Sequence, residues 1–68
     1  MNDDALNGSI RKFLKTVGVH SQLAIEKAVR QALESGELQG DESVPAHVTL
    51  TVERLAVSIK FDGELRLT

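Results

Sequence analysis

The sequence predicts an α+β fold in two layers, with a helical hairpin packed on one face of a three-stranded antiparallel meander in the order ααβββ. Three observations predict it. Apolar residues recur at three-and-four spacing in the first half and at a spacing of two in the second. Glycines follow the two helical stretches, at Gly18 and Gly36, where a left-handed residue commonly ends a helix. The length, 68 residues, is enough for one domain spanning 1–68 and no more.

The first helix is expected over about residues 3–17. Leu6, Ile10, Phe13, Leu14 and Val17 fall on one stripe, and Asp4, Arg11, Lys12 and Lys15 fall on the other side. Asn2 or Asp3 can cap its start with a side-chain oxygen. Acid at the beginning and base towards the end both suit the helix dipole. The second helix is expected over about residues 22–35, with Ser21 as its cap and Ile25, Ala28, Val29, Ala32 and Leu33 as its stripe. Leu23 is the exception. At about 100° per residue it lies almost opposite that stripe.

A polar linker over 37–45 contains Gly40 and ends at Pro45. Strands are then expected over about 46–53, 56–61 and 64–68. Val48, Leu50 and Val52 face one side, as do Val57, Ile59 and Phe61, and then Leu65 and Leu67. A two-residue Asp62-Gly63 turn would set Phe61 opposite Glu64, with apolar beside charged. A three-residue Phe61-Asp62-Gly63 loop with a bulge at Gly63 keeps the faces consistent and is the expected connection. The two helices would cover the apolar sheet face. Ile10, Phe13, Leu14, Val17, Ile25, Val29, Leu33, Leu50, Val52, Val57 and Ile59 would then be buried together.

Asn2-Asp3-Asp4-Ala5-Leu6-Asn7, Ser9-Ile10-Arg11-Lys12-Phe13-Leu14-Lys15, Val17-Gly18-Val19 and Ser21-Gln22 resemble a small bacterial family of about this length, catalogued only as a domain of unknown function. Phe61-Asp62-Gly63-Glu64 is similar too. The resemblance covers nearly the whole chain. It implies a stand-alone domain of helices followed by strands, and it implies no activity and no site residue.

Composition bounds the chemistry. There is no cysteine, so disulfides and thiol nucleophiles are excluded, and a reducing, cytoplasmic setting is expected. The acidic opening lacks the pattern of a secretory signal, and no run reaches membrane-spanning length. His20 and His47 are the only imidazoles, too few for a closed metal site. They are read as a helix-end hydrogen bonder and a surface residue, and neither metal nor cofactor is expected. No serine sits in a nucleophile elbow. Gly36-Glu37-Leu38-Gln39-Gly40 lacks the lysine of a phosphate loop. An enzyme is not expected.

Net charge is −2 and unevenly spread. Residues 1–36 carry five basic and four acidic side chains; residues 37–68 carry three and six. Arg11, Lys12 and Lys15 form the one basic cluster, which a solvated helix face explains. The helix–Gly18–helix segment resembles a helix-turn-helix. However, Leu14 stands where a small residue is wanted, and Glu26 and Glu34 would face a polyanion. The expected function is therefore a non-catalytic protein-interaction module, self-associating or bound to another protein. The alternative is a small nucleic-acid-binding domain using the Gly18 segment. Contact residues are expected at Leu23, at Thr49 and Thr51 on the first strand, and at Arg11, Lys12 and Lys15. The first strand is the more open sheet edge, because it carries no charge before Glu53.

Overall fold

A computed structural model describes all residues 1–68. Helix α1 spans Asp3–Ser35, strand β1 Ser43–Val52 and strand β2 Val57–Arg66, with a 3-10 turn at Glu53–Leu55 between the strands. The chain divides into two compact units, Met1–Glu37 and Leu38–Thr68. The secondary structure is α+β, but the expected helical hairpin on a three-stranded meander is wrong. One helix replaces two, and two strands replace three.

The helix starts as its sequence dictates. Asn2 caps it in an extended conformation, and its Oδ1 accepts from the Ala5 N–H at 3.0 Å. Asp3 and Asp4 occupy the first turn, at the positive end of the dipole. Gly36 ends it in the left-handed region (φ 82°, ψ 5°), and its N–H donates to the Leu33 carbonyl at 3.3 Å.

Gly18 does not end anything. The 33-residue helix runs through it, and its φ is not positive. Glycine permits a left-handed stop without compelling one. Here each N–H keeps its ladder partner if the helix continues, and the cost relative to alanine is only about 1 kcal/mol. The apolar pattern also continues across the glycine. Leu6, Val17 and Ala28 recur every eleven residues, as do Ile10, Ser21 and Ala32, and Leu14 and Ile25. An eleven-residue repeat keeps the stripe on one side of the helix, drifting by only about 20° every three turns. Thr16 is accommodated by donating from Oγ1 to the Lys12 carbonyl at 3.0 Å.

At the start of the second unit a short loop closes on Glu42. Its carboxylate accepts the N–H groups of Gln39 (2.8 and 3.0 Å), Gly40 (2.9 Å) and Asp41 (3.2 Å). Gly40, at φ 109°, supplies the left-handed turn that aims these donors together.

The strands pair antiparallel over ten rungs, from Ser43 opposite Arg66 to Val52 opposite Val57. The Leu67 N–H adds a bond to the Glu42 carbonyl at 3.3 Å. The bulged turn expected at Phe61-Asp62-Gly63 is wrong. Asp62 pairs with His47, and Gly63 pairs with Ala46, inside a continuous strand. The reversal is instead Glu53-Arg54-Leu55-Ala56, a four-residue loop. Ala56 sits in the left-handed region (φ 53°, ψ 37°), with its N–H on the Glu53 carbonyl at 3.1 Å. Pro45 lies inside β1, which the lack of a further strand allows.

The expected core is also corrected. No residue is buried. Of the eleven residues assigned to it, Phe13 is 53% exposed, Leu14 51%, Ile10 and Ile59 45%. Val17, Val29, Leu50, Val52 and Val57 are half-buried. The physical reason is the missing turn at Gly18. One straight helix has no second helix beside it to share the stripe.

Candidate functional site

The features that stand out are two apolar faces, one in each unit. On α1 the stripe is Leu6, Ile10, Phe13, Leu14, Val17, Ala24, Ile25, Ala28 and Ala32, with polar Ser21 inside it and polar Asn7 and Gln31 at its margins. These positions lie within about a third of the helix circumference at 100° per residue. The stripe runs from Leu6 to Ala32, about 39 Å at 1.5 Å per residue. The opposite side carries Lys12, Lys15, Glu26, Arg30 and Glu34, interspersed with the exposed apolar residues Val19, Leu23 and Leu33.

The hairpin face follows from the register. Val44 lies opposite Leu65, Ala46 opposite Gly63, Val48 opposite Phe61, Leu50 opposite Ile59 and Val52 opposite Val57. Residues directly opposite share a face. All ten positions of that face are therefore apolar or glycine. Phe61 is 55% exposed and Val48 51%. The other face is polar throughout: Ser43, Pro45, His47, Thr49 and Thr51 against Ser58, Lys60, Asp62, Glu64 and Arg66. Its contacts are Ser43 Oγ donating to Glu64 at 2.7 Å and a solvated Lys60–Asp62 ion pair at 3.6 Å.

The expected contact residues separate between these surfaces. Leu23 is 60% exposed and lies on the charged side of α1, almost opposite the stripe. Arg11 and Lys15, one turn apart, and Lys12 are exposed on the polar side. Thr49 and Thr51 are exposed on the polar hairpin face, not on the apolar one. Both strands are edges of a two-stranded sheet, so β1 is not distinguished from β2 in that respect. The helix-turn-helix comparison loses its turn, because residues 16–22 are helical.

The polar groups are dispersed. No three His, Asp or Glu side chains come together as a metal site would need. An open dip is lined by Pro45, Ala46, His47, Asp62, Gly63 and Glu64. The Glu42 carboxyl is held below the usual carboxylate range by the N–H donors of Gln39 and Gly40 first, with Asp41 adding to them. That carboxylate is engaged by its own loop. No helix of the chain is long and apolar enough to cross a membrane.

Both faces had readable signals in the sequence. The odd-numbered run Val57, Ile59, Phe61, Gly63, Leu65, Leu67 never changes parity, which marks one strand and places Gly63 in an apolar row. The eleven-residue recurrence through Gly18 likewise marks one helix. No curated protein and no solved structure matches the chain. A family model, described as a family of unknown function (DUF6494), matches residues 1–68.

Proposed function

The chain belongs to the DUF6494 family, a family of unknown function, and from that premise we propose that it is a non-catalytic protein-interaction module whose apolar helix stripe and apolar hairpin face are docking surfaces. The observation that carries the reading is the complete lack of buried residues beside two long apolar faces. Folded chains seldom leave contiguous apolar patches above a few hundred Å2 unless something docks there. A two-stranded hairpin is also marginal by itself in water. Most helical stability in proteins comes from packing an apolar stripe, not from propensity. Both units therefore gain order when a protein surface covers them.

The dispersed polar groups support the non-catalytic part of the reading. Catalysis needs groups converging on a concave site, and the dip at Pro45–His47 and Asp62–Glu64 is open.

The test is sedimentation equilibrium of the chain and of two variants, Phe13→Glu and Ile59→Lys. The reading expects a mass above that of a single 7.4 kDa chain, lowered by at least one variant. A single-chain mass for all three proteins, with equal melting temperatures, would refute it.

A further inference from the structure

We propose that the occupant of the α1 stripe is the α1 stripe of a second copy, packed antiparallel so that the residue numbers of facing positions sum to 38. The proposal rests on the reading of the stripe as a docking surface, and it names the partner and the register.

Side-chain size sets the pairing. The first half of the stripe is large: Leu6, Ile10, Phe13, Leu14 and Val17. The second half is small except for one residue: Ser21, Ala24, Ile25, Ala28 and Ala32. In an antiparallel pair centred near residue 19, Leu6 faces Ala32, Ile10 faces Ala28, Leu14 faces Ala24 and Val17 faces Ser21. Phe13 then faces Ile25. Four of the five large residues of the first half meet a small one, and only Phe13 meets a second large residue, Ile25, so the helices keep a similar separation along most of their length. Interiors pack at crystal-like density, so such alternation is what a single well-packed seam requires. A parallel pair would set Leu6 on Leu6 and Phe13 on Phe13 at one end, and Ala28 on Ala28 and Ala32 on Ala32 at the other. The helices would splay at one end or leave a gap at the other. The eleven-residue recurrence drifts by only about 20° per repeat, so a gentle right-handed supercoil lets the whole length engage.

The area suffices. From Leu6 to Ala32 the stripe is about 39 Å long, and a third of a cylinder of that length, about 14 Å across once side chains and a water radius are counted, is about 570 Å2 per partner. The pair would bury about 1,150 Å2, above the roughly 1,000 Å2 that a specific interface needs. Few charges flank the seam. Lys12 and Glu26 lie on the far side of the helix, and Arg11 and Lys27 border the stripe on opposite flanks, so they are not brought together. Specificity then comes from shape, and the association should change little with salt.

The chain lacks cysteine, so an introduced thiol can bridge only to another copy. The experiment uses two single-cysteine chains, Leu6→Cys and Ala32→Cys, oxidised gently alone and as an equal mixture, and repeats it with Ile10→Cys and Ala28→Cys. In the proposed pair, positions 6 and 32 are adjacent, whereas two copies of position 6 lie about 39 Å apart. A disulfide needs Cα atoms within about 7 Å, so the mixture should give roughly ten-fold more cross-linked dimer than either chain alone. Efficient cross-linking of a single variant alone would mean a parallel pair, overturning this inference while leaving the docking surface in place. No preference in either set, or association abolished by Ile59→Lys but not by Phe13→Glu, would also overturn it and move the contact to the hairpin. A single-chain mass for the wild type, unaffected by either substitution, would remove the underlying reading as well.

Discussion

The helix and the hairpin each present one apolar and one polar face, yet their order is specified in different ways. Along α1 every backbone bond is local, and the caps at Asn2 and Gly36 fix only where the ladder starts and stops. Nothing inside the helix sets which neighbour its stripe meets or in what register. In the hairpin, pairing itself sets the register, because a slip of one residue would turn every apolar side chain to the polar face. The turn at Glu53–Ala56 anchors that register at one end, and the Leu67–Glu42 bond extends it at the other. Backbone pairing thus specifies the hairpin, whereas side-chain size has to specify what the helix packs against.

The largest expected effect breaks the helix side of this comparison. Phe13→Ala removes the stripe's one aromatic residue. If the stripe is covered by a partner, the loss is about 3–5 kcal/mol, as for a buried phenylalanine. If the stripe stays in water, where Phe13 is now 53% exposed, the change is within about 0.5 kcal/mol. Chemical denaturation at fixed concentration separates the two, and the first is expected.

Gly18→Ala comes next. A side-chain carbon there meets nothing within 4 Å, and a continuous helix should gain about 1 kcal/mol from the higher propensity of alanine. A left-handed glycine between two helices would make the same substitution destabilising. Circular dichroism melting gives the sign.

This position also shows why part of the fold was hidden in the sequence. The Asn2 cap, the stop at Gly36 and the inward parity of Val48, Leu50, Val52, Val57 and Ile59 were legible, because each rests on a local rule. Gly18 and Asp62-Gly63 were misread for one reason. Both are breaker signals, and a breaker permits a reversal without enforcing it. The flanking pattern decides, and in both places it continues unbroken. Conversely, Glu53-Arg54-Leu55-Ala56 carries no glycine, proline or asparagine, so the true reversal had almost no turn signature. The polarity of Arg11, Lys12, Lys15, Thr49 and Thr51 was legible, but these residues mark the solvated sides and not the apolar faces.

Ala56→Gly sharpens the hairpin side. Alanine is strained at φ 53°, and glycine should relieve about 0.5–1 kcal/mol without altering the register. Amide exchange across β1 and β2 should slow slightly. Faster exchange would mean that the left-handed residue is not at this position.

The smallest effect is the pH response of Glu42. Its carboxyl is lowered chiefly by the N–H donors of Gln39 and Gly40, so the ionised form favours the folded loop. The contribution is complete above the ordinary carboxylate range, near pH 4–5, and is lost as pH falls through the lowered native value. Glu42→Gln should flatten the acid side of the stability profile. An unchanged profile would mean that the carboxylate does not hold the loop.

The central claim is that the order of this chain depends on covering its apolar faces with protein. The direct measurement is the thermal midpoint of the wild-type chain over a hundred-fold range of its own concentration. Folding coupled to association raises the midpoint with concentration, by mass action, and that rise is the expected result. A cooperative transition with the same midpoint at every concentration would show that one chain holds its fold without a partner, and would contradict the account.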